Sequence, residues 1–194
     1  MRKAAFALLA ALLMSACGAA PVKRYFEIRT IAADEPALPK IEQRACVEPA
    51  AVDALYDDIR ILYRVTPYEL KYYPYEFWAE RPGRQVGAAM AEFLAKKKVF
   101  RSVGRDCAKG EPEIIVRSRV RALEEIDTTD IWKAHLAMDI EFADAKSGAP
   151  IARWSFDRTG QMFKRNVGVL PAVVSRILDE ELGKAVWELA HALK

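Results

Sequence analysis

The stretch from Arg2 to Cys17 constrains this chain more than any other, because it decides where the rest must fold. Two cations, Arg2 and Lys3, precede an unbroken apolar run from Ala4 to Met14, which ends in Ser15-Ala16-Cys17-Gly18. A charged start, an apolar centre and a small-residue end are the three parts of a secretory signal. The run covers 11 positions and, as a helix, reaches roughly 16 Å, about half of the roughly 30 Å hydrocarbon core that a spanning helix must cross. The expectation is a signal and not a membrane span.

The end of this signal resembles the bacterial lipobox. Ser15 and Ala16 lead straight into Cys17, and Met14 stands where that pattern prefers Leu, Val or Ile. The resemblance implies a diacylglycerol on the Cys17 thiol and cleavage just before it, giving residues 1–16 as signal peptide, 17–22 as lipidated N-terminus and linker, and 23–194 as the body. The alternative is that Cys17 sits in the tail of an ordinary signal. Each buried methylene contributes about 0.8 kcal/mol, so one acyl chain anchors marginally and two or more anchor durably. About seven residues between Cys17 and Tyr25 stretch to roughly 25 Å at most, which keeps the body near the headgroups. Gly18 follows the cysteine where lipoproteins retained in the inner membrane of enteric-type bacteria commonly carry Asp; by resemblance to that sorting rule the expected location is the outer membrane, facing the periplasm.

Removing residues 1–16 lowers the formal charge from +3 to +1 and leaves 178 residues. That length supports one domain with a real core. A nearly neutral body argues against a nucleic-acid partner, which needs a concentrated basic face. With Cys17 committed to lipid, Cys46 and Cys107 remain as a pair in an oxidising compartment. They can form a disulfide or be two small buried apolar residues; the sequence leaves both open.

Lys23–Thr30 and Ile41–Val47 carry aromatic and branched residues suited to strands. Ile59, Ile61 and Tyr63 alternate with Arg60, Leu62 and Arg64, then Thr66-Pro67 breaks the run and Glu69–Tyr75 continues it. Arg81-Pro82-Gly83 announces a helix whose apolar stripe is Val86, Met90, Phe93 and Leu94, with Lys96, Lys97 and Lys98 at its end. From Ile114 the period is two: Ile114, Val116, Val120 and Ala122 against Arg117, Arg119 and Arg121. Trp132, Leu136, Met138, Ile140 and Phe142 alternate with Lys133, His135, Asp139 and Glu141, and Ala152, Trp154 and Phe156 with Arg153 and Asp157. These three segments predict an antiparallel meander. Gly160–Gly168 reads as a loop, and Pro171 opens a final helix with Val174, Ile177, Leu178, Leu182, Ala185 and Leu189 inward. The fold expected is a single α+β domain, a mixed or antiparallel sheet with two main helices packed on one face.

No catalytic constellation is visible in the sequence. His135 and His191 read as solvated surface residues, and neither has a second His or Cys at metal-ligand spacing, so no metal and no cofactor are expected. Neither a phosphate loop nor a nucleophile elbow occurs. Asp57-Asp58 and Glu124-Glu125 read as charged turns, since adjacent carboxylates on a strand point to opposite faces. The aromatic concentration Tyr63, Tyr68, Tyr72, Tyr73, Tyr75, Phe77 and Trp78 is the one candidate interface, because aromatic residues with polar tips collect at protein interfaces and near headgroups. The alternative is that about half of them fill the core beneath the first helix. Tyr68, Tyr72, Tyr73, Tyr75 and Trp78 are the residues expected to carry contact.

The lipobox cysteine, Arg24-Tyr25-Phe26-Glu27-Ile28, Ile61-Leu62-Tyr63-Arg64 through Tyr68-Glu69-Leu70 to Trp78-Ala79-Glu80-Arg81-Pro82-Gly83, and Val120-Arg121-Ala122-Leu123-Glu124-Glu125 together resemble the ABC-type transport auxiliary lipoproteins. The likeness spans nearly the whole mature chain, with Glu48–Leu55 as an insertion-like departure. It implies a non-enzymatic envelope lipoprotein serving an ABC permease and ATPase that work with an MCE-domain protein to move phospholipid or another hydrophobic substrate. It leaves room for a homo-oligomer, and the chain itself contains no Walker motif. Two other roles fit the same anchor: an envelope-assembly or cell-wall-associated interaction module, and a lipid carrier, which would need an enclosed apolar cavity.

Overall fold

One long strand receives partners along both of its sides, and the rest of the domain is laid out from it. The computed structural model describes residues 21–31, 37–128 and 130–194, so Cys17 and the signal lie outside the described residues. The elements are β1 (Arg24–Phe26), β2 (Ile41–Val47), β3 (Ala51–Val52), β4 (Arg60–Thr66), β5 (Glu69–Trp78), α1 (Pro82–Lys96), β6 (Phe100–Gly104), β7 (Ile114–Asp127), β8 (Trp132–Asp144), β9 (Pro150–Gln161), a 3-10 turn (Val167–Val169) and α2 (Leu170–Ala192). They form one mixed nine-stranded sheet.

Along one side of β7 runs the antiparallel meander β7–β8–β9. Along its other side β2, β3 and β4 follow one another, all parallel to β7 at Ile114–Val116, Arg119–Val120 and Glu125–Ile126. Beyond β2 lies β6, parallel to it; beyond β4 lies β5, antiparallel, and then β1, parallel to β5. α1 covers β2, β3 and β6, α2 covers β8 and β9, and the two meet over a single core. The expected stripes are those that enter it: Val86, Met90, Phe93 and Leu94 from α1, and Val174, Ile177, Leu178, Leu182, Ala185 and Leu189 from α2.

The register of β7 slips by one residue between Val120 and Ala122. Such a bulge moves every later side chain to the opposite face of the sheet. Ala122 therefore sits on the open face opposite Ala137, not on the inner face expected from its spacing, while Leu123 opposite Leu136 turns inward. In β4, Ile61 enters the core as expected, but Ile59 is exposed and Leu62 is buried opposite Tyr72.

Two other expectations change. Only Arg24–Phe26 of the anticipated first strand is paired. The backbone N–H groups after it are taken by helix side chains: Ile28 N–H donates to Gln85 Oε1 (2.7 Å), Arg29 N–H to Ser175 Oγ (3.1 Å) and Ile31 N–H to Asp179 Oδ2 (2.8 Å). Buried backbone donors must find a partner, and here α1 and α2 supply it in place of a strand. The segment Glu48–Leu55 contains β3 and is pressed against α1, where a Cβ on Gly87 would lie 2.8 Å from the Glu48 carbonyl oxygen. Cys46, at the end of β2, is joined by a disulfide to Cys107 in the loop after β6, with their Cα atoms 5.5 Å apart.

Two outcomes follow from this packing. Intrinsic propensity alone makes Gly→Ala in a helix stabilising by about 1 kcal/mol. Gly87→Ala should instead destabilise by about 1–3 kcal/mol in urea titration, because the opposing atoms are backbone and cannot swing away; a stabilised variant would show that α1 and the 48–50 segment do not touch. Replacing both Cys46 and Cys107 by Ala should lower unfolding free energy by about 4 kcal/mol, the loop-closure value for a separation of 61 residues. Unchanged stability would contradict the bridge.

Candidate functional site

The β4–β5 hairpin holds most of the aromatic concentration. Its turn is fixed by Thr66, whose Oγ1 accepts from the N–H groups of Tyr68 (3.2 Å) and Glu69 (3.0 Å). That local bond holds Tyr68 at the tip, 97% exposed. The other expected interface residues separate by strand period. Tyr75 is exposed. Tyr72 is half-buried, lies under the Arg60 guanidinium (4.1 Å to the ring centre) and donates its hydroxyl to the Leu55 carbonyl (3.1 Å). Tyr73 is half-buried against Tyr63 and donates to Glu125 Oε2 (3.2 Å). Trp78, expected to carry contact, is 2% exposed and packs in the core, so no partner can reach it. Tyr25 from β1, which that set did not include, stacks on Phe77 (5.6 Å) and is exposed.

Beneath the hairpin lie two glutamates that the sequence placed in a turn. Glu124 and Glu125 are instead in β7, 2% and 1% exposed, and they point to opposite faces as neighbours on a strand must. The bulge decides which goes where. Glu124 reaches the open face, where Arg64 grips it with two parallel bonds, Nε to Oε1 and Nη2 to Oε2, each 2.9 Å. His135 Nδ1 lies 3.1 Å from Glu124 Oε1, and His135 Nε2 lies 2.9 Å from Asp157 Oδ1. His135 is thus a half-buried link between two carboxylates and not a free surface residue. Opposite pairing in β8 puts it directly across from Glu124. Its pKa is raised, first by the Glu124 hydrogen bond and then, against the cost of burial, by Asp157. Burial alone would raise the Glu124 carboxyl, but the His135 and Arg64 hydrogen bonds outweigh it and hold the group below its ordinary range.

Glu125 turns toward the helix-covered side, at the end of a recess of about 370 Å³ lined also by Arg24, Tyr73, Glu76, Arg165 and Asn166. The two arginines there are matched: Arg24 with Glu76 (2.8 Å) and Arg165 with Asp127 (2.9 Å), Arg165 also lying over Trp132 (4.4 Å). Trp132 Nε1 donates to the same Asp127. Among the described residues the Tyr73 hydroxyl is the hydrogen-bond donor to Glu125, and the carboxyl is pushed up to about 7, chiefly by burial, with the Asp127 charge adding to it and Tyr73 and Arg165 pulling it back. Such a group can hold or release a proton near neutrality, but no cysteine, serine or threonine lines the recess beside it. Among the described residues no cluster of three or more His, Cys, Asp or Glu could hold a metal ion, and no helix is long and apolar enough to cross a membrane.

The model of the family described as ABC-type transport auxiliary lipoprotein component matches residues 26–180. The chain belongs to this family. The match runs from the first strand through the tyrosine hairpin and both glutamates into α2. Among solved structures, a protein from Xanthomonas campestris is similar at 16% identity, covering 88% of this chain and 97% of its own, with a TM-score of 0.75. A hypothetical protein from Chlamydia trachomatis is similar at 6% identity, covering 78% and 99%, with a TM-score of 0.54. At these identities the likeness shows the fold. No curated protein sequence matches this auxiliary lipoprotein.

The proton on Glu125 has a definite effect on stability. Its folded value lies above the ordinary 4.5, so the folded protein keeps a proton that the unfolded chain releases. That contribution is full below about pH 4.5, declines as pH rises toward 7 and is absent above, a change of roughly 3 kcal/mol. Glu125→Gln keeps an acceptor for Tyr73 and does not titrate. Urea titrations should therefore show the variant gaining on the wild type by about that amount between pH 4.5 and 7, while the decline due to His135, whose stabilising charge is lost above its own raised value, persists in both. A constant difference across this range would contradict the buried carboxyl.

Proposed function

We propose that this auxiliary lipoprotein is a non-enzymatic docking subunit, anchored by lipid on Cys17 in the outer membrane and facing the periplasm, that receives the MCE-domain protein of an ABC-type transport system. A separate permease and ATPase supply the energy, and the cargo is phospholipid or another hydrophobic molecule. Family membership over residues 26–180 carries the transport role. The docking role rests on the exposed aromatics of the hairpin.

Three observations support that reading. β1 pairs with β5, so the linker from Cys17 joins the sheet at the edge that bears Tyr25, Phe77 and Tyr75. A tether of about seven residues keeps that edge within roughly 25 Å of the headgroups. Tyr68 and Tyr75 are exposed on a hairpin whose base is fixed by Tyr72 and Tyr73 hydroxyl bonds, so little side-chain freedom at the base is lost on contact. A carrier role is not favoured, because side chains such as Phe93, Met90, Phe142 and Met138 fill the space between sheet and helices.

Crosslinking and pull-down from detergent-solubilised envelopes test this. The wild type should recover an MCE-domain protein, and Tyr68→Ala with Tyr75→Ala should lower recovery about tenfold without moving the melting temperature. Recovery of cell-wall or assembly factors alone would favour the envelope-assembly role instead.

A further inference from the structure

We infer that β9 pairs along its free edge with the same edge of a second copy of this chain, continuing the sheet through a two-fold axis at Ser155. This rests on the edge itself and not on the transport reading.

Four strands have an unpaired side among the described residues, and three of them are protected: β3, which pairs with β7 alone, has just two residues. β1 has three residues, and β6 has five and runs directly into the loop that the Cys46–Cys107 bridge pins to β2. Short or tied-down edges are how proteins prevent unwanted strand addition. β9 has 12 residues and among the described residues pairs only with β8. From Ile151 to Gln161 it contains no proline and no lysine, and its register with β8 is unbroken from Ala152 to Gln161. Its charges are each held within the chain, Arg153 by Glu141, Asp157 by His135 and Arg158 by Glu181, which leaves a long, regular edge open to pairing.

The backbone phase is fixed. Met162 N–H donates to the Trp132 carbonyl (3.0 Å), one step beyond the Lys133–Gln161 pair. In an antiparallel ladder alternate residues bond inward, so even-numbered residues of β9 aim their N–H and C=O groups at β8, and Arg153, Ser155, Asp157 and Thr159 aim theirs outward. An antiparallel copy centred on Ser155 sets outward groups against outward groups. In that register Arg153 faces Asp157 of the second copy and Asp157 faces its Arg153, while Trp154 faces Phe156 in the intervening positions. Centring on Arg153 or on Asp157 would place each against its own like charge, which is destabilising. Both side chains have room for a second partner: Arg153 holds Glu141 at 2.9 Å yet is 70% exposed, and Asp157 holds His135 at 2.9 Å yet is 64% exposed.

The full lipidated chain in density-matched detergent provides the test by sedimentation equilibrium. The wild type should be dimeric or a higher even-numbered assembly. Arg153→Asp should weaken self-association about tenfold, and Arg153→Asp combined with Asp157→Arg should restore it. Ser155→Pro removes the N–H that points away from β8 together with the hydroxyl that bonds Asp139 (2.5 Å) and Arg121 (3.3 Å), so Ser155→Ala, which loses the hydroxyl alone, is its control: the proline variant should release monomer and the alanine variant should not, with melting temperatures checking that the fold persists. Ser155→Cys should give a crosslinked dimer with a short bismaleimide, whereas Lys109→Cys should not. A monomeric wild type overturns the inference, and so does an assembly that survives Ser155→Pro or is not rescued by the charge exchange.

Discussion

Everything in this domain depends on β7 being hydrogen-bonded along both sides at once. On one side β8 follows it for almost its whole length. On the other, β2, β3 and β4 each take a short share. The disulfide-bridged end of the sheet and the aromatic end have no strand in common except this one. A strand paired on both sides must satisfy two registers, which is why its bulge after Val120 matters so far from where it occurs.

The bulge converts a Glu-Glu dipeptide into two different environments. Glu124 receives a guanidinium and an imidazole, so its charge is compensated where it is buried. Losing one partner of such a group costs more than the pair itself contributes, because a buried charge is left behind. Glu125 has a tyrosine and is held near neutrality by its surroundings. Tyr73 therefore ties β5 to β7 on one face while Arg64 ties β4 to β7 on the other. The hairpin is fixed at its base and presents Tyr68 at its tip, which is the combination a docking element needs.

Much of this was readable in the sequence because burial on one face leaves a periodic trace. The helix stripes, the Ile41–Val47 strand and the β7–β8–β9 meander follow from spacings of 3.6 and 2. The failures have physical causes. Glu124, Glu125 and His135 look like surface residues because their partners, Arg64, Tyr73 and Asp157, come from strands distant in sequence. A bulge has no mark in composition, so the exchange of faces after Val120 was not legible; Ala122 followed the wrong side for that reason. The spacing extends the first strand to Thr30, whereas helix side chains take the backbone donors of Ile28, Arg29 and Ile31 and end it at Phe26. β6, with two polar residues and a terminal glycine, gives no alternating signal. Tyrosine enrichment marked the correct hairpin, but only the structure separates exposed Tyr68 and Tyr75 from buried Trp78.

Native-state hydrogen exchange of the full chain tests the shared role of β7 most directly. If both ends of the sheet depend on it, amides from Ile114 to Asp127 should exchange only through global unfolding, with one protection free energy across the bulge. Separate, faster exchange of the segment from Ala122 to Asp127 together with β4 and β5 would show that the aromatic end opens by itself, and would contradict the account.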